Sequence, residues 1–323
     1  MRRYAFIGFV ALILANGLLV VPVKADYKQA VAFYNQKRFD KAIQELKTDL
    51  DRNPDWEFGH RLLGLCYLGL NNNALAVSAL SRAIQLKSTA FSAYYGLGQA
   101  HFNMQKYENC IAALNQGESL AAKEKEPERE KAKLYKLRGS AYYQTGKYED
   151  AKEDLTNAIR VNQSDWTDFF KLGICYLKLN RIDEAVQALE KVLSMKPGES
   201  QTTNLIGEAY LRKGNTALAG KQYAVAVQTL LKAKDYLPKN GYIYYNLAEA
   251  YLFQKKYPEA EKAYNQAADL LPRNPEIYWR MGYVYERQKK WDLALIAYKK
   301  AGEINPSKEI KEAIARVTEN KKK

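Results

Sequence analysis

A period of 34 residues constrains this chain more than any other feature. Starting from Ala42 in the stretch Phe39-Asp40-Lys41-Ala42, a small residue returns at Ala76 and Cys110. A longer step of 41 leads to Ala151, then Ala185, a second step of 41 to Ala226, and finally Ala260 and Ala294. Twelve residues earlier most units carry another small residue, as at Gly64, Gly98, Gly139, Gly173 and Gly282. With the second long step placed late in the sixth unit, its matching glycine is Gly207. Three residues beyond the glycine an aromatic recurs at Tyr67, Tyr142, Tyr176, Tyr210, Tyr251 and Tyr285, and Pro54, Pro197, Pro238, Pro272 and Pro306 close five units. A repeat of this length is one supersecondary unit that cannot bury its apolar face alone, so neighbours must stack into a continuous core.

Composition decides which kind of unit. Only 9 Pro and 18 Gly punctuate 323 residues, too few for many short strands joined by tight turns. An apolar fraction of 47% with 25 Tyr is ample for a core and excludes a disordered chain. The units are therefore helical.

The run Leu172-Gly173-Ile174-Cys175-Tyr176, followed by Ala185, Leu189 and Pro197, resembles the tetratricopeptide repeat. The resemblance recurs eight times; the first repeat departs with Ala30 for the glycine and a short first helix, the third with His101 for the tyrosine. It implies an all-α fold, a right-handed α-solenoid superhelix of antiparallel helix pairs with a concave groove. Residues 26–308 hold the eight repeats, with insertions near 121–131 and 214–220. Pro127 with Glu128 and Glu130 suits an early helix start, so the first insertion lengthens the first helix of repeat four. The second, near Gly214–Gly220, is expected to form a protruding hairpin. Residues 309–323 form a capping helix and a basic tail, because Ile310, Ala313, Ile314 and Val317 share one helical face.

Residues 1–25 stand apart. Arg2 and Arg3 precede an apolar run from Ala5 to Val21, and Val23 and Ala25 suit a cut before Asp26, the layout of a secretory signal peptide. The chain is thus expected to be exported, periplasmic or secreted; the rival reading keeps the run as an N-terminal membrane anchor with the same orientation. The net charge of +14 implies a weak, salt-dependent attraction to acidic envelope surfaces. Acidic and basic residues alternate too closely for a nucleic-acid stripe, so no nucleic-acid partner is expected.

Catalytic chemistry finds no foothold. Three Cys and two His leave few soft ligands for a four-ligand zinc site, and the cysteines are spaced for neither a metal nor a redox pair. Cys66, Cys110 and Cys175 sit in small-residue columns and read as buried, unpaired packing groups. There is no nucleophile elbow, P-loop or dinucleotide fingerprint, so the expectation is a non-enzymatic chain with no cofactor and no metal.

Function is then expected in the groove, which by the resemblance is lined by the outward faces of the first helices. The last two repeats place Tyr242, Tyr245, Phe253, Trp279 and Tyr283 there, with Glu249, Glu276 and Glu286 between them. The middle repeats offer Tyr143 and Phe170 beside Lys133, Lys136 and Lys178. These residues predict an exported scaffold holding a peptide or protein partner, with basic ligands favoured at the acidic end and acidic ligands at the lysines. The alternative is an assembly factor of a cell-envelope complex that docks a membrane protein through its convex face or the inserted hairpin. The carboxylate clamp of some relatives is not found, and the oligomeric state stays open.

Overall fold

The computed structural model describes residues 27–124 and 127–322, so the signal-peptide and anchor readings, Asp26 and the terminal Lys323 lie outside the described residues. All regular structure among them is helical, and the helices follow one another in antiparallel pairs. Two compact units divide the chain, Met1–Thr89 and Ala90–Lys323. The first holds α1 (Lys28–Asn35), α2 (Phe39–Arg52), α3 (Glu57–Gly69) and α4 (Asn73–Gln85).

The second unit begins with α5 (Phe91–Asn103) and α6 (Tyr107–Glu124), then α7 (Glu128–Gln144) and α8 (Tyr148–Val161). Next come α9 (Trp166–Lys178), α10 (Ile182–Met195), α11 (Ser200–Ala219) and α12 (Tyr223–Tyr236). It ends with α13 (Gly241–Phe253), α14 (Tyr257–Leu270), α15 (Pro275–Arg287), α16 (Trp291–Ile304) and α17 (Lys308–Asn320). Eight pairs and one last helix make an α-solenoid, and Ile310, Ala313 and Val317 of α17 are buried. No described helix is long and apolar enough to cross a membrane.

Each pair closes through the same turn. Lys37, Asn71, Gln105, Asn180, Lys221, Lys255 and Lys289 hold φ between 58° and 61°, and Gly146 takes 75°. The next residue donates its N–H to a carbonyl five positions back, as Asn72 to Tyr67 (2.9 Å) and Lys290 to Tyr285 (2.9 Å). This left-handed cap satisfies carbonyls that the helix end would otherwise leave open. In most pairs the recurring aromatic therefore both packs inward and marks where the first helix stops; His101 and Ala217 take that place in repeats three and six.

The small columns let helices touch. A Cβ on Gly173 would lie 2.7 Å from Leu189 Cγ, and one on Gly64 2.5 Å from Leu80 Cγ. The three cysteines are buried and free, and burial pushes their thiols up to about 12.

The second insertion corrects the sequence reading twice. No hairpin protrudes at 214–220: α11 is one continuous helix of 20 residues, against 13 in α13. The close-packing glycine of repeat six is Gly214, whose Cβ would meet Leu230 Cγ at 2.6 Å. Gly207 instead approaches Leu237 Cγ at 2.4 Å, as Gly241 approaches Leu271 Cγ at 2.6 Å. The extra residues are therefore 200–206, added at the N-terminal end of α11. Seven residues make about two turns, so the helix regains its phase and still buries Thr202 and Ile206. With Gly214 as reference, Ala217 and not Tyr210 occupies the aromatic column. The first insertion lengthens both α6, at 18 residues, and α7, at 17; residues 125 and 126 between them lie outside the described residues.

Candidate protein-binding face

Along the second unit, first helices of successive repeats, and α17 after the last, are tied side by side through polar groups, the first two pairs below at matching registers. Lys171 donates to Ser140 Oγ (2.8 Å), Asn246 to Asn215 (2.7 Å), and Arg316 of α17 to Glu286 (3.1 and 3.2 Å). These contacts define one face, running from α7 to α17.

In repeats seven and eight that face is aromatic. Asn240 and Asn274 cap α13 and α15 by accepting from the N–H groups of Tyr242 and Glu276. Tyr242 is 57% exposed, Phe253 52% and Tyr283 43%. Phe253 stacks on Tyr223 with centroids 5.0 Å apart. Tyr245 and Trp279, placed in the groove by the sequence reading, are half-buried: Tyr245 lies edge-on to Tyr264 at 6.0 Å, and Trp279 packs 5.0 Å from Tyr298. Both are floor rather than free surface.

The carboxylates need a larger correction. Glu249 is only 7% exposed, accepts a hydrogen bond from the buried Tyr264 hydroxyl and lies 3.5 Å from Arg280 Nε. Arg280 also binds Glu276 at 2.8 Å. Glu286 accepts from Tyr298 (3.2 Å) and from Arg316. The cause lies one helix away. Leu46, Leu80, Leu114, Leu155, Leu189 and Leu230 form a buried column that becomes Tyr264 and Tyr298 in the last two repeats. A buried phenol needs an acceptor, and Glu249 and Glu286 supply it. Burial and the adjacent glutamate push both phenols well above their usual range. All three acids already have cationic partners, so the expected preference for basic ligands loses its basis.

The middle repeats are likewise neutralised. Lys133 pairs with Glu130 (2.7 Å), and Lys136 bridges Asp165 and Asp168, the latter at 3.0 Å. Burial disfavours the Asp165 charge, but Lys136 and the Thr167 N–H and hydroxyl outweigh it and hold the carboxyl down to about 2. Burial raises Asp168 against the pull of Lys136 and lowers Lys171. Tyr143 leans edge-on to Tyr148 and Phe170 to Trp166, so both are half-buried packing rings; Lys178 is exposed. Between the two regions, Leu211, Arg212, Asn215 and Ala219 of α11 line an open hollow of about 470 Å³. The sequence reading missed it because Gly207 set the wrong register for that helix.

Comparison with known proteins fixes the family. The tetratricopeptide repeat model matches residues 27–91, 136–200 and 245–309, and two further models of the repeat match 199–273 and 91–124. The chain is a tetratricopeptide repeat protein. Proteins of this family are protein-binding scaffolds. The chain is 24% identical to Hsp70-Hsp90 organizing protein 2 of Arabidopsis thaliana over 218 residues, covering 66% of this chain and 35% of that protein. It is 30% identical to BBSome complex member BBS4 of Bos taurus over 102 residues, 32% of this chain and 20% of that one. The chain thus spans no more than about a third of these tetratricopeptide relatives. Among solved structures it is similar to YrrB, a TPR protein with an unusual peptide-binding site, at 21% identity and a TM-score of 0.48 over 65% of this chain and 97% of that one. A complex of the TPR2AB domain of yeast Sti1 with an HSP90 peptide is similar at 17% identity and a TM-score of 0.45, over 81% and 98%.

Proposed function

We propose that the chain is an exported, non-enzymatic scaffold that holds an extended peptide or partner helix against the first-helix face of repeats seven and eight. The exposure of Tyr242, Phe253 and Tyr283 together on that face carries the reading. Large rings offer much apolar area for little rotamer entropy, and such groups dominate binding energy where they are buried by a partner. Beneath them Tyr245 and Trp279 give a rigid floor, and the paired acids leave the surface close to neutral. Recognition therefore rests on apolar and aromatic contact rather than on charge.

The experiment places a photo-crosslinking residue at Tyr283 and, separately, at Ile296 on the outer face of α16, then captures partners from the envelope fraction. Binding on the aromatic face requires partner adducts at Tyr283. Adducts at Ile296 alone would support the second reading, docking of a membrane protein through the convex face, where Leu293 and Ile296 are exposed. Export is tested separately by the intact mass of protein from that fraction. A mature chain starting at Asp26 supports it, and retention of residues 1–25 supports the anchored form.

A further inference from the structure

The positive charge of this chain gathers toward its C-terminal repeats. Residues 200–323 hold 22 basic and 13 acidic side chains, a net +9 of the +14. Part of that excess sits in the turns that join the two helices of a repeat. These turns share one backbone, a left-handed residue followed by the residue that opens the second helix, so in stacked repeats they fall along one edge. Neighbouring helix axes in such a stack lie about 8–10 Å apart. Repeats four and five place Gly146 and Asn180 at the left-handed position, residue types that this backbone favours. Acids follow in the first turn of the second helix, Glu149 and Asp150 in α8, Asp183 and Glu184 in α10. Repeats six, seven and eight instead place Lys221, Lys255 and Lys289 at the left-handed position, and repeat seven adds Lys256.

These four lysines are exposed, and among the described residues none of them forms an ion pair. Their neighbours differ: Lys290 binds Glu261 at 2.7 Å, and Lys321 at the end of α17 binds Asp292. The first turn of α12 has no acid and its N-cap Gln222 makes no side-chain cap, so the positive end of that helix dipole adds to the edge. Beside the lysines, Val225 and Leu293 in the first turns of α12 and α16 are 43% and 42% exposed.

Free lysines next to exposed aliphatic side chains select among anionic partners. Protein interfaces are depleted in lysine, whose flexible stem loses rotamer freedom against a fixed partner. Nucleic acid supplies phosphates but nothing to cover Val225 and Leu293. A lipid surface supplies fluid anionic headgroups above an apolar layer and takes both kinds of side chain. We propose that the turn edge of repeats six to eight is a docking surface for an anionic lipid bilayer. Lys221, Lys255, Lys256 and Lys289 meet the headgroup phosphates, and Val225 and Leu293 reach the boundary with the acyl chains. The inference goes beyond the scaffold reading, because Tyr242 opens α13 at the end away from this edge.

The test uses the chain from Asp26 to Lys323, which contains every described helix and leaves out the apolar run Ala5–Val21. It is sedimented with vesicles of phosphatidylcholine alone or with one third phosphatidylglycerol. Each lysine near an anionic surface is worth about fivefold in binding, so anionic vesicles should bind at least tenfold more tightly than neutral ones, and the gap should close at about 0.5 M salt. Lys221→Asn/Lys255→Asn/Lys256→Gln/Lys289→Asn carries residues found at these positions in repeats two, five and six, so it should melt like wild type and lose at least tenfold in binding. Lys239→Gln/Lys262→Gln/Lys299→Gln/Lys311→Gln removes the same charge away from the turns and should stay within about threefold of wild type. Val225→Ser/Leu293→Ser should weaken vesicle binding about fivefold. Equal binding to neutral and anionic vesicles, or equal loss in the two lysine variants, overturns the docking surface. Polyglutamate or an oligonucleotide bound as tightly as the anionic vesicles also overturns it, in favour of an acidic protein or a nucleic acid. Tyr242→Ala should leave vesicle binding untouched, so failure here is distinguishable from failure of the aromatic face.

Discussion

Repeats four and five and repeats seven and eight bury polar groups by opposite routes. In the last two repeats a core leucine column turns into Tyr264 and Tyr298, and each phenol is matched by a glutamate on the facing helix. In the middle, charge itself enters the core: Arg138 is buried and forks onto Asp154 at 2.7 and 2.9 Å, with Glu118 and Asn115 on its other side. One region ends as a nearly neutral aromatic surface, the other as an ionic network reaching into the core. The same helical frame thus supports two chemistries, and the difference lies in which core columns are allowed to become polar.

Breaking the ionic network should have the largest effect. Arg138→Leu leaves Asp154 buried without its counter-ion and should cost about 3–5 kcal/mol in urea unfolding, while Arg138→Leu/Asp154→Leu should recover most of that loss. An equal loss in single and double variants would show that packing, not charge, governs the site. Trp279→Ala should cost about 2 kcal/mol because the ring is half-buried against Tyr298, whereas Tyr242→Ala should stay within about 0.5 kcal/mol of wild type. Equal melting of those two variants would erase the distinction between floor and surface. Tyr264→Phe, which removes one donor to a buried carboxylate, should cost about 1–2 kcal/mol.

Smaller effects sharpen the comparison. Lys255 holds φ 61° without being glycine, so Lys255→Gly should stabilise the pair α13–α14 by about 1 kcal/mol in thermal unfolding. Acid should act on the middle repeats through Asp165. The Asp165 carboxyl sits at about 2 in the fold, below its ordinary value, so its stabilising effect is complete above about pH 4 and lost as pH falls through about 2. Asp165→Asn should flatten the stability profile in that window, lowering stability near neutrality and leaving it unchanged below about pH 2.

The period alone makes the helix pairs legible, because each small residue and aromatic recurs at the step a stacked repeat demands. Its limit appears in α11. Gly207 and Gly214 are seven residues apart, which returns a helix almost to the same face, and both lie against leucines. The spacing of twelve to Ala226 favours Gly214, and the partner leucine in the next helix confirms it; placing the long step late in the unit obscured this. At the candidate face, Tyr242, Phe253 and Tyr283 are exposed where the register puts them. Glu249 was misread because its burial depends on Tyr264 in another helix, where a leucine column changes to tyrosine. That substitution, read together with a new glutamate in the facing helix, is the signal that would have exposed it. Asp168 was visible in the same way, as an acid in an apolar column, yet only its pairing with Lys136 of the preceding repeat explains its burial.

The central claim is that the exposed rings of repeats seven and eight, not the half-buried rings of repeats four and five, hold the partner. With a segment of the crosslinked partner purified, affinity and melting should be measured together for Tyr242→Ala/Phe253→Ala and for Tyr143→Ala/Phe170→Ala. The account predicts about a thirtyfold loss of affinity, equivalent to about 2 kcal/mol, with unchanged melting in the first variant, and lower melting in the second. Unchanged affinity in Tyr242→Ala/Phe253→Ala would contradict it.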